Sequence, residues 1–598
     1  MDGKEDKAVL KEEVEESIEI EEEQRKRLIY RTGDLPPVRL LALFTLQQGL
    51  LGVAGSLSVS ILVAEVICAR DDQQIKTQIL SATFFMIGIS TFCMSTFGIR
   101  LPIFQGAAST YIIPLFALTN LPEWKCPSHE DLVLLSNVLQ PREILPSLKT
   151  KICWFSTLWC LQISGSLMAA GGVHFLIGVT GLVGFLLKFI GPITMVVAIT
   201  LVGLYVYKVA VRFCETFWAV AILTAACGIV LSLYLAKTST PIPAWNKKRG
   251  FYIKWYPLHQ VFAILISVVI GWTVSAILTH ADVISSDQNG VGIYARTDTH
   301  IDVIASTDWF SLPYPGRFGF PSFHAGVFVS FMIATLMSIL DSICDYNACA
   351  RMCYVPRPPD WAVNRGIAVE GIMSMLSGGM GVGHATVSYG GNIGAIGLTR
   401  VASRGVFQCV GLLYIVLAVT SKLGAIFVTI PHSVLGGCQI ITIGIFIGIV
   451  LSNLQYVDLS STRNVAIIGI SLLLGLMVPH WVETNPDGIK TGSEQVDRLL
   501  QILAANPSFV GGVLACFLDN TVPGTPEERG VSSNTKKDTT TVLEEFEEGL
   551  EVYRLPWVPE FIQKSWLARF IQIIPGPSQE DAKKEDQVLP HHIDLKDT

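Results

Sequence analysis

The sequence predicts an all-α polytopic membrane protein of about fourteen transmembrane segments, and three observations predict it. Only 16% of the residues are charged while 50% are hydrophobic, against about 25% charged in a soluble domain. Apolar runs close to the ~20 residues that cross a ~30 Å hydrocarbon core recur along the chain, as at 77–98 and 260–280. A soluble fold can bury one such helix but not a dozen. Finally, two further apolar segments, 105–119 and 386–399, are short and broken by Gly, Ser, Thr or Pro.

Taken in order, the expected spans lie near 39–67, 77–98, 105–119, 154–180, 190–207, 215–235 and 260–280. The rest lie near 325–352, 366–382, 386–399, 405–429, 432–452, 463–479 and 498–518. Residues 1–38 form an acidic N-terminal tail, with the solvated run EEVEESIEIEEEQRKR, and 520–598 form a C-terminal tail. The formal net charge of −7 comes mostly from these tails and says little about partners. No basic-then-apolar leader follows Met1, so the first span is expected to direct insertion.

An even number of spans puts both tails on one side, and loop charge says which. The loop at 236–258 carries Lys237, Lys247, Lys248, Arg249 and Lys254 with no acid, and Arg351, Arg357 and Arg365 follow the eighth span. The loop at 281–324 carries Asp282, Asp287, Asp298, Asp302 and Asp308 against Arg296 and Arg317. Basic loops stay cytoplasmic, so both tails are expected in the cytoplasm. The thirteen cysteines fall mostly in apolar runs, as small packing residues. Cys349 and Cys353 are read the same way, and Cys126 and Cys153 flank one outside loop where they could pair. No N-x-Ser/Thr acceptor is present.

The two broken segments carry the functional signal. Non-helical backbone at membrane depth is tolerated only when buried in protein or lining a polar cavity. Such segments in corresponding halves of a chain mark a transporter binding site. Here they are the third of the first seven spans and the third of the last seven. The first supplies Gln105, Ala108, Ser109, Thr110 and Tyr111; the second supplies Tyr389, Gly390, Gly391 and Asn392. Half-helix N-termini carry partial positive charge, and an Asn amide matches a flat heterocycle edge. Between them, SILDSICDYNACARM sets Asp341 and Asp345 four residues apart on one helix face. A carboxylate at membrane depth costs a few kcal/mol, so the pair points to a water-filled site, a cation or a proton partner, the structural alternative being that Asp345 lies near the cytoplasmic end and pairs with Arg351. Sodium prefers hard oxygen ligands, which an Asp with backbone carbonyls from an unwound segment would supply, Gln105 being a further candidate ligand. Gln47 and Gln48 add polar groups to the first span; any of these polar residues could instead be interhelical hydrogen-bond partners.

These residues resemble the nucleobase–ascorbate transporters over about 36–530. The signature of that family is Gln, Glu or Pro, then Asn-x-Gly-x-x-x-x-Thr and a basic residue; here it stands as Gly391-Asn392-Ile393-Gly394, running to Thr399-Arg400. DYNACAR (345–351), NRGIAVEG (364–371), SNLQYVDLSSTRN (452–464) and LDNTVPGTPEERG (518–530) are similar to the animal branch, which includes the sodium-dependent vitamin C transporters.

The resemblance implies two inverted seven-span repeats, about 39–280 and 325–519, divided into a core and a gate domain that move like an elevator, often as homodimers in the plasma membrane. It places sodium at Asp345 and substrate at Asp341, Gly391, Asn392, Gly390, Ser109, Ala108 and Gln48. Three positions depart from the family pattern: Asp341 replaces the usual Glu, Gly391 contributes no side chain, and Gln48 stands where His is common. SYGGNIG (388–394) resembles nucleobase-type versions more than vitamin C ones.

The expected function is sodium-coupled uptake of a small polar solute, with L-ascorbate first and a nucleobase such as uracil, xanthine or a urate-like purine second. A non-transporting paralogue is the further alternative. No cofactor besides the coupling ion, no nucleic acid and no enzymatic activity is expected, since no nucleophile–base set or phosphate loop is visible.

Overall fold

The computed structural model describes most of residues 28–555, with 120–140 and 530–547 as the larger stretches outside it. The acidic run of the N-terminal tail, Cys126, the side chain of Cys153 and everything beyond 555 therefore lie outside what is described.

The first half runs α1 (Val38–Val66), α2 (Gln73–Thr96), β1 (Gln105–Ala107), α3 (Ile112–Thr119), α4 (Pro141–Thr180), α5 (Leu182–Phe189), α6 (Pro192–Tyr205), α7 (Tyr207–Cys214) and α8 (Trp218–Ile229). A hairpin of β2 (Thr240–Asn246) and β3 (Gly250–Tyr256) follows, then α9 (Ala263–His280). The second half runs α10 (Ala325–Met352), α11 (Asp360–Gly379), β4 (Thr386–Ser388), α12 (Gly390–Thr399), α13 (Arg404–Val419) and α14 (Ser421–Val428). It ends with α15 (His432–Ser452), α16 (Thr462–Thr484), α17 (Glu494–Ala504) and α18 (Pro507–Thr521).

Eight of the described helices are long and apolar enough to cross a membrane, or ten if each of two bent pairs is one span. The expected fourteen is not reached on that measure, for identifiable reasons. The interval 366–382 sits in α11, whose Asn364, Arg365 and Glu370 are buried against neighbours. The interval 215–235 is a short helix that loosens into a π-turn at Val230–Tyr234. The broken segments 105–119 and 386–399 are each a three-residue strand followed by a short helix.

Two expected straight spans are also bent. α13 and α14 meet at 85°, and α17 and α18 at 82°. The second break is written locally: Asn506 caps α18 by accepting from the Phe509 amide at 3.1 Å, with Pro507 at the first helical position. The hairpin in the basic loop was not expected either. Its strands pair antiparallel from Thr240↔Tyr256 to Asn246↔Gly250, and GFYIKWY is rich in strand-forming side chains.

The helices form two groups. In the first, α4 packs along α11, α2 along α13, and α1 and α10 join them. In the second, α6, α16 and α18 pack together and α15 lies against α7 and α8. Between apolar helices in lipid, association relies on close packing. A Cβ at Gly371 would lie 2.3 Å from the Phe175 amide nitrogen, and one at Gly178 2.4 Å from that of Ala368. These two glycines let α4 and α11 touch backbone to backbone.

Parts of both expected tails are built into the fold. The Ile29 amide donates to the Arg400 carbonyl at 2.8 Å and that of Ala402 to Tyr30 at 2.9 Å. Thr32 donates through its hydroxyl to Glu548 at 2.5 Å. Tyr553 is fully buried; its hydroxyl donates to the Pro356 carbonyl at 2.6 Å, and its own carbonyl accepts from Arg365 at 2.6 Å.

Candidate functional site

β1 and β4 pair antiparallel, with Gln105 opposite Ser388, Gly106 opposite Val387 and Ala107 opposite Thr386. The ladder continues through Ala108 donating to Ala385 at 3.0 Å and Tyr389 donating to Phe104 at 3.0 Å. A 3-10 turn at Ser109–Tyr111 leads into α3, and α12 begins at Gly390. Because the strands are antiparallel, the two half-helices leave the ladder in opposite directions, each starting beside it. Each half-helix thus sets its N-terminal end, with its positive dipole, beside the ladder.

The ladder faces a cavity of about 160 Å³ between the two groups. Ser109, Asp341, Ser388, Gly390 and Gly391 line it from the first group, and Gln439 and Thr442 from α15 in the second. None of the described residues lining it is basic. The volume falls below the roughly 300–1,000 Å³ of pockets for drug-sized ligands, so it suits a smaller molecule. Tyr389 closes one edge, with its ring edge-on to Phe104 at 6.1 Å.

Asp341 and Asp345 are both buried on α10. Asp341 is on the cavity wall; Asp345 sits one turn further along, where a Cβ built on Gly390 would be 3.3 Å from its Oδ1. The absence of a side chain at Gly390 thus gives Asp345 a clear approach to the start of α12. A third carboxylate, unmarked in the sequence reading, completes the cluster. Glu370 on α11 is fully buried and accepts from Gln105 Nε2 at 3.0 Å, Ser342 Oγ at 2.7 Å and Tyr346 Oη at 2.8 Å. It ties β1, α10 and α11 together, and three donors offset much of the cost of burying the charge. Its signal was a lone acid inside an expected span.

The expected site residues divide by position. Asp341, Ser109, Gly390 and Gly391 are brought to the cavity wall. Ala108 is fully buried behind it. Asn392 donates to both the carbonyl and the side-chain Oε1 of Gln48 at 2.8 Å. That pair clips α12 to α1 off the wall rather than facing the cavity. Gln105 gives its amide N–H to Glu370, while its Oε1 is buried without a hydrogen-bond partner among the described residues. Cys68 takes part in a disulfide, whereas Cys349 and Cys353 are free and buried.

Paired broken helices, carboxylates at membrane depth and a small cavity between two helix groups are the features of a multi-pass membrane carrier. The comparisons agree. Residues 40–484 match the model of a family described as a permease family. Human solute carrier family 23 member 2 is 35% identical over 555 residues, covering 92% of this chain and 83% of that protein. Mouse solute carrier family 23 member 1 is 34% identical over 548 residues, covering 92% and 89%. Nucleobase-ascorbate transporter 1 of Arabidopsis thaliana is 28% identical over 516 residues, covering 85% and 92%. The chain belongs to this permease family, together with solute carrier family 23 and the plant nucleobase-ascorbate transporters. It is a transporter and not an enzyme.

Proposed function

We propose that the protein is a sodium-coupled symporter of a small, flat, polar solute, and that the solute is a neutral nucleobase. The observation that carries the choice is the cavity wall, which has the Asp341 carboxylate, the hydroxyls of Ser109 and Ser388 and, among the described residues, no basic side chain. A carboxylate accepts N–H donors from a nucleobase directly, whereas an anion beside it meets like charge that only the coupling sodium would offset. L-ascorbate is the second reading, favoured by the 34–35% identity to animal members of family 23. For that solute a sodium ion at Asp345 would supply the missing positive charge.

The sodium assignment is supported by Asp345 beside the start of α12 and by the unpartnered Gln105 Oε1, both hard oxygens. Each charge entering gains about 2.3 kcal/mol per 100 mV of membrane potential. On this reading the α4–α11 group is the moving core, the α15–α16 group is the gate, and both termini are cytoplasmic in the plasma membrane. The disulfide at Cys68, just past the end of α1, supports that sidedness, because disulfides persist on the oxidising face.

The test is uptake of labelled uracil, xanthine and ascorbate into expressing cells, in sodium and with choline replacing it. Sodium-dependent accumulation of a nucleobase alone is the expected result; ascorbate alone would establish the second reading. Silence for all three, with the protein at the cell surface, would leave a non-transporting paralogue.

A further inference from the structure

The gate-side wall of the cavity carries its own recognition group. α15 is otherwise apolar where it faces the ladder, with Ile443, Ile445 and Phe446 beside Gln439 and Thr442. The two polar side chains differ in what they are bound to. Thr442 turns its hydroxyl back on its own helix, donating to the Cys438 carbonyl at 3.1 Å. Gln439 does not: its Oε1 is buried with no hydrogen-bond partner among the described residues, and the residue is 7% exposed. An unpaired amide in such a place has a cost that a bound solute would remove. Across the cavity, the position of the family signature that usually bears a side chain is Gly391, where a built Cβ would meet only the Tyr389 ring, at 3.3 Å. The core wall is short of one group, and the gate wall has one to spare.

We propose that Gln439 binds the transported solute and sets its specificity. Its amide, donor and acceptor side by side, pairs with an N–H adjacent to a C=O, the lactam edge of an oxopurine or oxopyrimidine. This rests on the cavity being the substrate site. A site that hydrogen-bonds a polar edge discriminates strongly against molecules that lack it. The contact also spans the two helix groups, so the solute is held from both walls.

The test is concentration-dependent uptake of uracil and xanthine by wild type, Gln439→Leu and Gln439→Met, with surface protein quantified. Met keeps the length and flexibility of the side chain and guards against a folding loss in the Leu variant. Loss of one hydrogen bond predicts a KM raised roughly tenfold in both variants, with the maximal rate within about twofold of wild type. Gln439→Asn should recover part of the difference. Unchanged KM in surface-expressed variants of an active wild type overturns the assignment to Gln439 and leaves the transport reading standing. A wild type at the surface that takes up neither uracil nor xanthine overturns the nucleobase reading, and this inference with it.

Discussion

At the residue scale the site is a set of carboxylates in unlike surroundings. Glu370 is fully tied down by Gln105, Ser342 and Tyr346, so its work is to hold the ladder against α10 and α11. Asp345 is buried yet unobstructed at Gly390, the arrangement expected for an ion that comes and goes. Asp345→Asn keeps the shape and removes the charge; it is expected to abolish sodium-stimulated uptake with surface expression intact. Uptake that still depends on sodium in that variant would remove Asp345 from the ion site. Glu370 and Gln439 were both visible in the sequence as single polar residues within apolar stretches. Nothing in the sequence ranked them, because a lone polar residue in a span is as readily a hydrogen-bond partner between helices as a ligand. Only their partners separate the two cases, three donors for one and none for the acceptor of the other.

At the element scale two contacts hold the first helix group in shape. α4 and α11 meet through Gly178 and Gly371, each within 2.4 Å of backbone when a Cβ is added. Gly371→Ala should therefore force the helices apart and cost about 1–3 kcal/mol, read as a lower melting temperature of the detergent-purified protein. An unchanged melting curve would mean the interface yields easily. The second contact is the strap at 548–554, where Tyr553 fills a buried site between Arg365 and Pro356. Tyr553→Ala should cost about 3 kcal/mol or more, as other buried aromatics do, and truncation after residue 547 should cost at least as much. If truncation leaves melting and surface level unchanged, the strap does not stabilise the fold. The strap escaped the sequence reading because LEVYR is too short for any periodicity, and its burial depends on a pocket made by residues nearly two hundred positions away.

At the scale of the whole molecule, the cavity lies between two helix groups that also touch through charge. Glu65 at the end of α1 pairs with Arg212 on α7 at 3.4 Å. With the Arg212 side chain half-exposed and Glu65 nearly buried, such a pair contributes about 1 kcal/mol, too little to stabilise a fold but enough to bias two conformations several-fold. Arg212→Ala is expected to change the maximal uptake rate by up to about fivefold with the surface level unchanged. An unaltered rate would show that the pair is not part of the motion. The Arg463–Asp519 pair within the second group, at 3.0 Å with both side chains buried, is by contrast internal to one group and should not respond to transport.

The sequence by itself determined the class and the family, and marked the region of the candidate site. Apolar runs of membrane length, the Asp341–Asp345 spacing and the signature ending at Thr399-Arg400 are local features, and each can be read without knowing what lies opposite. The tertiary structure decided everything that depends on opposition. It set the two bent pairs at 85° and 82°, angles that a local break such as Asn506-Pro507 permits but does not fix. It paired Gln105 with Ser388 across the chain, set Asn392 on Gln48 instead of on the cavity, and left Gln439 facing it. The physical reason is that a buried polar group is defined by its partner, and partners hundreds of residues apart are brought together only by packing.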